Sequence, residues 1–314
     1  MRKIVHVVLL ILPALFFAQR RNRYKWEWVG GTGPNNFLGA IGGSPNIGQH
    51  GFTGFQDWNW YSTRPTFSAG LRYKNTRHFA FKSSLDLAWL YGSDTYSDNF
   101  YRHNRNISFL TTLVELSAQA EYYPFKEAQG SLYRVKNSRG KKKLNLNPYV
   151  FAGVGALYFD PRAQWNSGVG ATGQWYNLKS LHTEGQGLPG GPAEYSSFAV
   201  SLPFGAGMKY SLDKQWSIGF ELGLHYTNSD WLDDTHGVYY NNAAIVAAYG
   251  AAAGHFADPS LSAAAAGGPP TGTEGITGVG QKRGFDSHFN DAYVFGLFNV
   301  NYKVMYRKRT RSKF

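Results

Sequence analysis

WSIGFELGLHYT, residues Trp216–Thr227, alternates without a break: Trp216, Ile218, Phe220, Leu222, Leu224 and Tyr226 are large and apolar, whereas Ser217, Gly219, Glu221, Gly223, His225 and Thr227 are small or polar. Successive side chains of a strand point to opposite faces, so this period of two predicts a strand with one apolar and one polar face. The run from Phe198 behaves alike, with Phe198, Val200, Leu202, Phe204, Met208 and Tyr210 opposite Ser201, Gly205, Gly207 and Lys209. Phe79–Tyr91, Ile107–Tyr123 and Val294–Tyr306 repeat the pattern, and Tyr24–Leu38, Thr66–Tyr73 and Pro148–Phe159 do so less cleanly. Eight strands are expected.

Strand length separates a soluble sandwich from a membrane barrel, because soluble strands run to about five or six residues and tilted membrane strands need roughly nine to eleven. Most of these runs reach the longer figure. Aromatic residues close the apolar faces: Tyr73, Phe79, Tyr122, Tyr149, Tyr210, Trp216 and Tyr306 at one expected rim, Phe67, Trp89, Phe159, Phe198 and Tyr226 at the other. Such girdles mark the lipid–water boundary. The links also alternate, short at 74–78 and 211–215 and long at 39–65, 92–105, 160–196 and 229–290, with 124–147 as the one long exception among the short ones. The expected fold is therefore all-β, an eight-stranded antiparallel transmembrane barrel with long extracellular loops.

Composition agrees. Of 314 residues 43% are hydrophobic, 17% aromatic and only 17% charged, which excludes a disordered chain. There is no Cys, which removes disulfides, thiolate metal sites, Cys nucleophiles and a lipoprotein anchor. Arg2 and Lys3 precede an apolar run from Ile4 to Phe17 that is broken by Pro13 and closed by Ala18, the layout of a cleaved signal peptide. That run is short for a membrane helix, which needs about 20 residues. Residues 1–18 are thus expected to be a signal peptide and 19–314 a barrel in the bacterial outer membrane, both mature termini being periplasmic. An exported chain does not meet cytoplasmic nucleic acid, despite its formal charge of +12.

On that topology the basic residues gather on the periplasmic side. Lys74, Arg77 and Lys214 sit in short links, Arg134, Lys136, Arg139, Lys141, Lys142 and Lys143 in the long link, and Arg307, Lys308 and Arg309 in the tail, with Glu127 and Asp213 the acids among them. Two readings stand side by side: attraction to anionic outer-membrane lipid head groups, and a docking face for a periplasmic protein. The lumen-facing positions mix both signs, Glu27, Asp86, Glu115, Glu121 and Glu221 with Arg72, Lys82 and Lys209. An eight-stranded barrel is just wide enough for its own side chains, so these residues are expected to pair into a polar plug rather than a channel.

Catalytic readings are weaker. His225, Ser229, Asp230, Asp233 and Asp234 superficially offer a base, a nucleophile and carboxylates for an outer-membrane hydrolase, but no G-x-S-x-G motif is present; a rim histidine beside a solvated acidic turn is the expectation. The aspartates lack calcium-loop spacing, and Gly30, Gly31 and Gly33 lack the helix and Lys of a phosphate loop, so neither a metal nor another cofactor is expected. The Ala/Gly-rich run 243–268 is expected to be outer loop, in part mobile or a short helix.

The succession RNISF at 105–109, VELSAQAEYYPF at 114–125, PYVFAGVGALYFDPRA at 148–163, LHTEGQG at 181–187, LPFGAGMKYSL at 202–212 and WSIGFELGLHYTNSDWLDD at 216–234 resembles the PorG-like family. These are outer-membrane barrels of the Bacteroidetes type IX secretion system. The resemblance implies a barrel that anchors periplasmic ring proteins of the PorK–PorN type, serving protein secretion and in some members gliding. It transfers no catalytic residue. The Ala/Gly-rich insertion and the basic tail Arg307–Phe314 depart from it. A stand-alone structural or adhesion barrel is the alternative, and a hydrolase the third reading.

Overall fold

The computed structural model describes residues 25–39, 41, 60–97, 100–125, 146–166, 171–261, 279–284 and 290–304. Strands β1 (Trp26–Leu38), β2 (Arg64–Lys74), β3 (Phe79–Ser93), β4 (Ser108–Tyr122) and β5 (Leu146–Gln164) follow one another, with helix α1 (Phe100–Arg105) between β3 and β4. A short β6 (Trp175–Asn177) pairs only with the far end of β5. Then come β7 (Phe198–Ser211), β8 (Trp216–Thr227), α2 (Asn242–Tyr249), α3 (Ala251–Ala257) and β9 (Ala292–Lys303). Every pairing is antiparallel, in the order β4-β3-β2-β1-β9-β8-β7-β5, and β4 pairs with β5 to close the ring. Eight strands thus form a barrel without an open edge, the one sheet form that satisfies all its backbone groups in lipid.

Register fixes the two faces. Glu27 faces Arg72 on β2 and Lys303 on β9, so inward positions on β1 are odd-numbered and both chain ends leave at one rim, the terminal rim. Tight turns close this rim between β2 and β3 and between β7 and β8. In the second, Asp213 Oδ1 accepts from the backbone N–H of Gln215 and Trp216, each at 2.6 Å, and these bonds hold its carboxyl below the usual range. The outward positions are apolar and exposed, among them Trp28, Leu85, Leu116, Val154, Leu202, Ile218, Phe298 and Val300. Water would make this band costly, and lipid does not.

Aromatic pairs ring the band. Trp26 packs on Tyr73, Phe79 on Tyr122 and Trp216 on Tyr302 near the terminal rim, while Phe67 meets Trp89 and Tyr158 meets Phe198 towards the loop rim. Two expected girdle members are corrected. Tyr149 and Phe159 are buried inside the barrel, and it is Tyr158 that faces out. On β5 the inward Tyr149, Phe151, Leu157 and Phe159 are as apolar as the outward Val150, Ala152, Val154 and Tyr158, so alternation there cannot assign the faces. Tyr306 lies outside the described residues. The glycines Gly30, Gly31 and Gly33 sit within β1 rather than in a loop; a Cβ at Gly33 would meet the carbonyl of Gly296 on β9, which explains glycine there.

Candidate functional site

Inward residues from the terminal rim to mid-barrel form an ionic column. Arg72 of β2 is its hub: Nη1 donates to Glu27 Oε2 at 3.2 Å and to Asn301 Oδ1 at 2.7 Å, and Nε pairs with Glu121 Oε2 at 2.7 Å. Lys209 and Lys74 reach the same Glu27 carboxylate at 2.5 and 2.8 Å. One level up, Lys82 Nζ donates to both oxygens of Glu221, at 2.6 and 2.8 Å, and Tyr149 OH donates to Oε2 at 2.7 Å. Higher still, Glu115 accepts from Tyr293 OH at 2.9 Å and from Ser201 Oγ, and pairs with His225 Nδ1 at 2.8 Å. Asp86 accepts from Ser84 Oγ at 3.1 Å. The structure therefore brings Glu27, Arg72, Lys209, Lys82, Glu221 and Glu115 into direct pairs, all buried, while Asp86 is held by a hydroxyl. Burying each of these charges without a partner would cost several kcal/mol of desolvation, which the pairing offsets.

Above Glu115 the interior turns apolar. Phe37, Leu90, Phe109, Leu113, Leu157, Phe159, Phe295 and Leu232 form one packed core that fills the loop half of the barrel. Leu232 belongs to the segment that follows β8, so the loop inserts into the lumen like a stopper. Thr111 Oγ1 of β4 donates to its carbonyl at 2.5 Å, and Leu232 N donates to Asp291 Oδ2 at 2.9 Å.

A cap sits over this stopper. Thr183 Oγ1 donates to Asp234 Oδ2 at 2.5 Å and Tyr195 OH to Oδ1 at 2.6 Å. Glu184 accepts from the N–H of His236 at 2.9 Å, from that of Gly237 at 3.0 Å and from Arg283 Nη1 at 3.1 Å. Arg105 donates twice to Asp94, at 2.6 and 2.8 Å, and once to the carbonyl of Arg283 at 2.7 Å. Burial raises the Asp234 carboxyl to about 6, although Arg283, Thr183 and Tyr195 pull it down. Burial together with the neighbouring Asp230 pushes Asp233 well above the usual range, and Asp291 rises through burial and the charges of Asp233 and Asp230.

The acidic turn is thus buried, not solvated, which corrects the expectation for it. His225 is likewise no rim residue: it is buried against Tyr293 and Phe295 inside the barrel. The reason is the stopper, which draws the turn into the lumen and removes the water that an open rim would supply. His225, Ser229 and Asp233 also go to separate partners, namely Glu115, the N–H of Trp231, and the N–H groups of Ile41 and Thr235. No three His, Asp or Glu side chains among the described residues are arranged to hold a metal ion. Of the Ala/Gly-rich run, 242–257 is two short helices broken at Gly250, whose φ of 91° suits glycine. The basic residues Arg134, Lys136, Arg139, Lys141, Lys142, Lys143, Arg307, Lys308 and Arg309 lie outside the described residues, as do residues 1–18, the expected signal peptide.

No protein-family model and no curated protein matches the chain. Among solved structures it is similar to Neisserial surface protein A, at TM-score 0.37 and 8% identity, over 91% of this chain and 100% of that one. It is also similar to the N-terminal β-barrel domain of OprF from Pseudomonas aeruginosa, at TM-score 0.30 and 10% identity over 90% and 98% of the two chains. A third is Ail, the attachment invasion locus protein of Yersinia pestis, solved in complex with the heparin analogue sucrose octasulfate, at TM-score 0.33 and 8% identity over 89% and 99%. Likenesses this distant carry nothing about activity or partners.

Proposed function

We propose that this chain is a non-enzymatic barrel of the bacterial outer membrane that anchors a periplasmic ring complex of the type IX protein secretion machinery, with gliding as a further output. The observation that carries this reading is the closure of the barrel at both levels. An ionic column fills the terminal half and an apolar core with an inserted loop fills the other, so the fold is a stake in the membrane rather than a conduit, and its work falls to its two ends. Lys74, Arg77 and Lys214 lie at the terminal rim, and β4, β5 and β9, which flank the strongly basic sequence segments 126–143 and 307–313, have their ends there.

The sequence resemblance to PorG-like barrels is what supports ring proteins of the PorK–PorN type as the partner class and a periplasmic terminal end. The hydrolase reading has no convergent residues behind it. The adhesion reading draws support from the ordered cap, which presents a fixed surface at the loop end. Affinity capture of the tagged barrel from detergent-solubilised envelope separates the two: an anchor brings down periplasmic proteins in stoichiometric amount, whereas an adhesion barrel comes down alone.

A further inference from the structure

A cavity of about 220 Å³ opens on the outer flank of the barrel wall at the loop rim. Tyr91 and Ser93 of β3, Ser108 of β4 and Gln164 of β5 are outward residues beyond the apolar band, and α3 adds His255 and Phe256. Thr95, Asn106 and Asn166 add hydroxyl and amide groups, Ile107, Leu178 and Pro259 add apolar contact, and the lining contains no carboxylate and no lysine. The one charged residue is Arg283, which is buried and neutralised by Glu184 at 3.1 Å. Its Nε has no hydrogen-bond partner among the described residues. A buried N–H donor of this kind calls for an acceptor, and the cavity beside it is where one would sit.

Aromatic rings lead into the cavity from outside. Tyr61 stacks on Tyr96 with centroids 5.0 Å apart and planes 13° apart, and the Arg64 guanidinium lies 4.0 Å from the Tyr91 ring. Arg64 also fixes the approach, donating to the carbonyls of Tyr61 and Thr63 at 3.0 and 2.8 Å. Trp60 and Tyr61 are 79% and 70% exposed. They precede β2, several residues beyond Phe67 of the upper girdle, so these rings stand above the hydrocarbon where head groups lie. His255 is fixed by stacking on Trp165 at 4.5 Å, and burial lowers its pKa, so its ring is neutral and offers one donor and one acceptor.

We propose that this cavity and its aromatic shelf bind a neutral sugar residue, presented by the glycolipid of the outer leaflet. Ring faces for stacking, neutral amides and hydroxyls for hydroxyl groups, and the absence of carboxylates and lysines fit a saccharide better than a phosphate or a cation. The volume lies below the roughly 300–1,000 Å³ that accommodates drug-sized ligands, which suits one sugar ring with the next resting on Tyr61 and Trp60. The position on the outer flank favours a sugar that rises from the membrane beside the barrel. The proposal depends on the barrel standing in a membrane and is independent of the periplasmic anchor role.

Titration calorimetry on the full barrel in detergent tests it with four probes: intact rough lipopolysaccharide, its lipid-free core oligosaccharide, a maltodextrin, and phosphatidylglycerol micelles. Saturable binding of the first two is expected. In Tyr61→Ala/Tyr96→Ala, which alters exposed rings, and in Ser108→Trp, which fills the cavity, it should weaken by about tenfold or more, the cost of losing a central aromatic contact. Binding of maltodextrin alone, lost in the same variants, would support the sugar site and overturn the glycolipid as its source. No binding of any sugar, equal binding by wild type and both variants with normal heat-modifiable mobility, or an equal response to phosphatidylglycerol would overturn the proposal.

Discussion

Thr183 Oγ1 donates to Asp234 Oδ2 at 2.5 Å, across 51 residues of sequence. TEGQG at 183–187 and DWLDD at 230–234 therefore meet in space. They form the seam of the cap, reinforced by Arg283 donating to Glu184 and to the carbonyl of Asp234 at 2.7 Å. The same turn supplies Leu232 to the stopper, so cap and lumen are one mechanical unit.

That seam titrates. The Asp234 carboxyl, raised to about 6, faces Arg283, Glu184, Thr183 and Tyr195. A raised carboxyl stabilises the folded cap fully below the unfolded value of about 4, and the contribution is lost as pH rises through its folded value. Asp233 and Asp291 are shifted the same way, and His236, raised by its hydrogen bond to Asp230, also loses stabilisation as pH climbs. Hydrogen exchange at residues 183–187, normalised to an unstructured peptide, should show protection falling as pH increases from 4 to 7. Asp234→Asn should flatten that fall over the lower part of the window.

The ionic column predicts a strong coupling. Lys82→Met leaves Glu221 buried with its ammonium partner gone and should destabilise the barrel by about 3–5 kcal/mol. Lys82→Met combined with Glu221→Leu removes both charges and should cost less than either single change. Thermal loss of heat-modifiable mobility for the singles and the double measures the cycle; additive losses would deny the pair its role.

A third expectation concerns chemistry. His225→Ala breaks the pair with Glu115, so the barrel should melt at a lower temperature, yet secretion per inserted barrel should match wild type. Abolished secretion at normal abundance and normal mobility would revive the hydrolase reading.

The filled lumen gives a fourth. Purified, folded protein in planar bilayers should show negligible ion conductance, and stable single-channel steps would contradict the plugged interior.

How legible this was in the sequence differs by element. On β7 and β8 the outward positions are nearly all large and apolar and the inward ones polar or small, because the column needs charges such as Lys209 and Glu221 where lipid is absent; two faces with different solvents write two alphabets. On β5 both faces are apolar, since the stopper replaces water in the loop half, and alternation cannot tell Tyr158 from Phe159. The inward charges were readable singly, but not that Arg72 would serve Glu27 and Glu121 together, because that depends on which strands neighbour one another around the ring. The cap was least legible. Asp233 and Asp234 look like solvated turn residues until Arg105, Arg283 and Thr183 arrive from distant loops, and helix α2 hides in a low-complexity run. The sugar-binding cavity draws on six chain segments, 91–96, 106–108, 164–166, 178, 255–259 and 283, and left no motif.

The central claim is that the terminal end holds a protein. β4 ends and β5 begins at that rim, and the sequence between them carries Arg139, Lys141, Lys142 and Lys143; each exposed ion pair is worth only about 0.2–1 kcal/mol, so many must act together. The most direct measurement is recovery of periplasmic ring proteins with the tagged barrel when these four residues are reversed to Glu, with insertion checked by heat-modifiable mobility. Recovery and secretion should drop in the variant, and the wild-type contact should weaken as salt approaches 1 M, where the Debye length is about 3 Å. Unchanged recovery by the inserted variant at low salt would contradict the anchor surface and leave lipid head groups as the partner of the basic end.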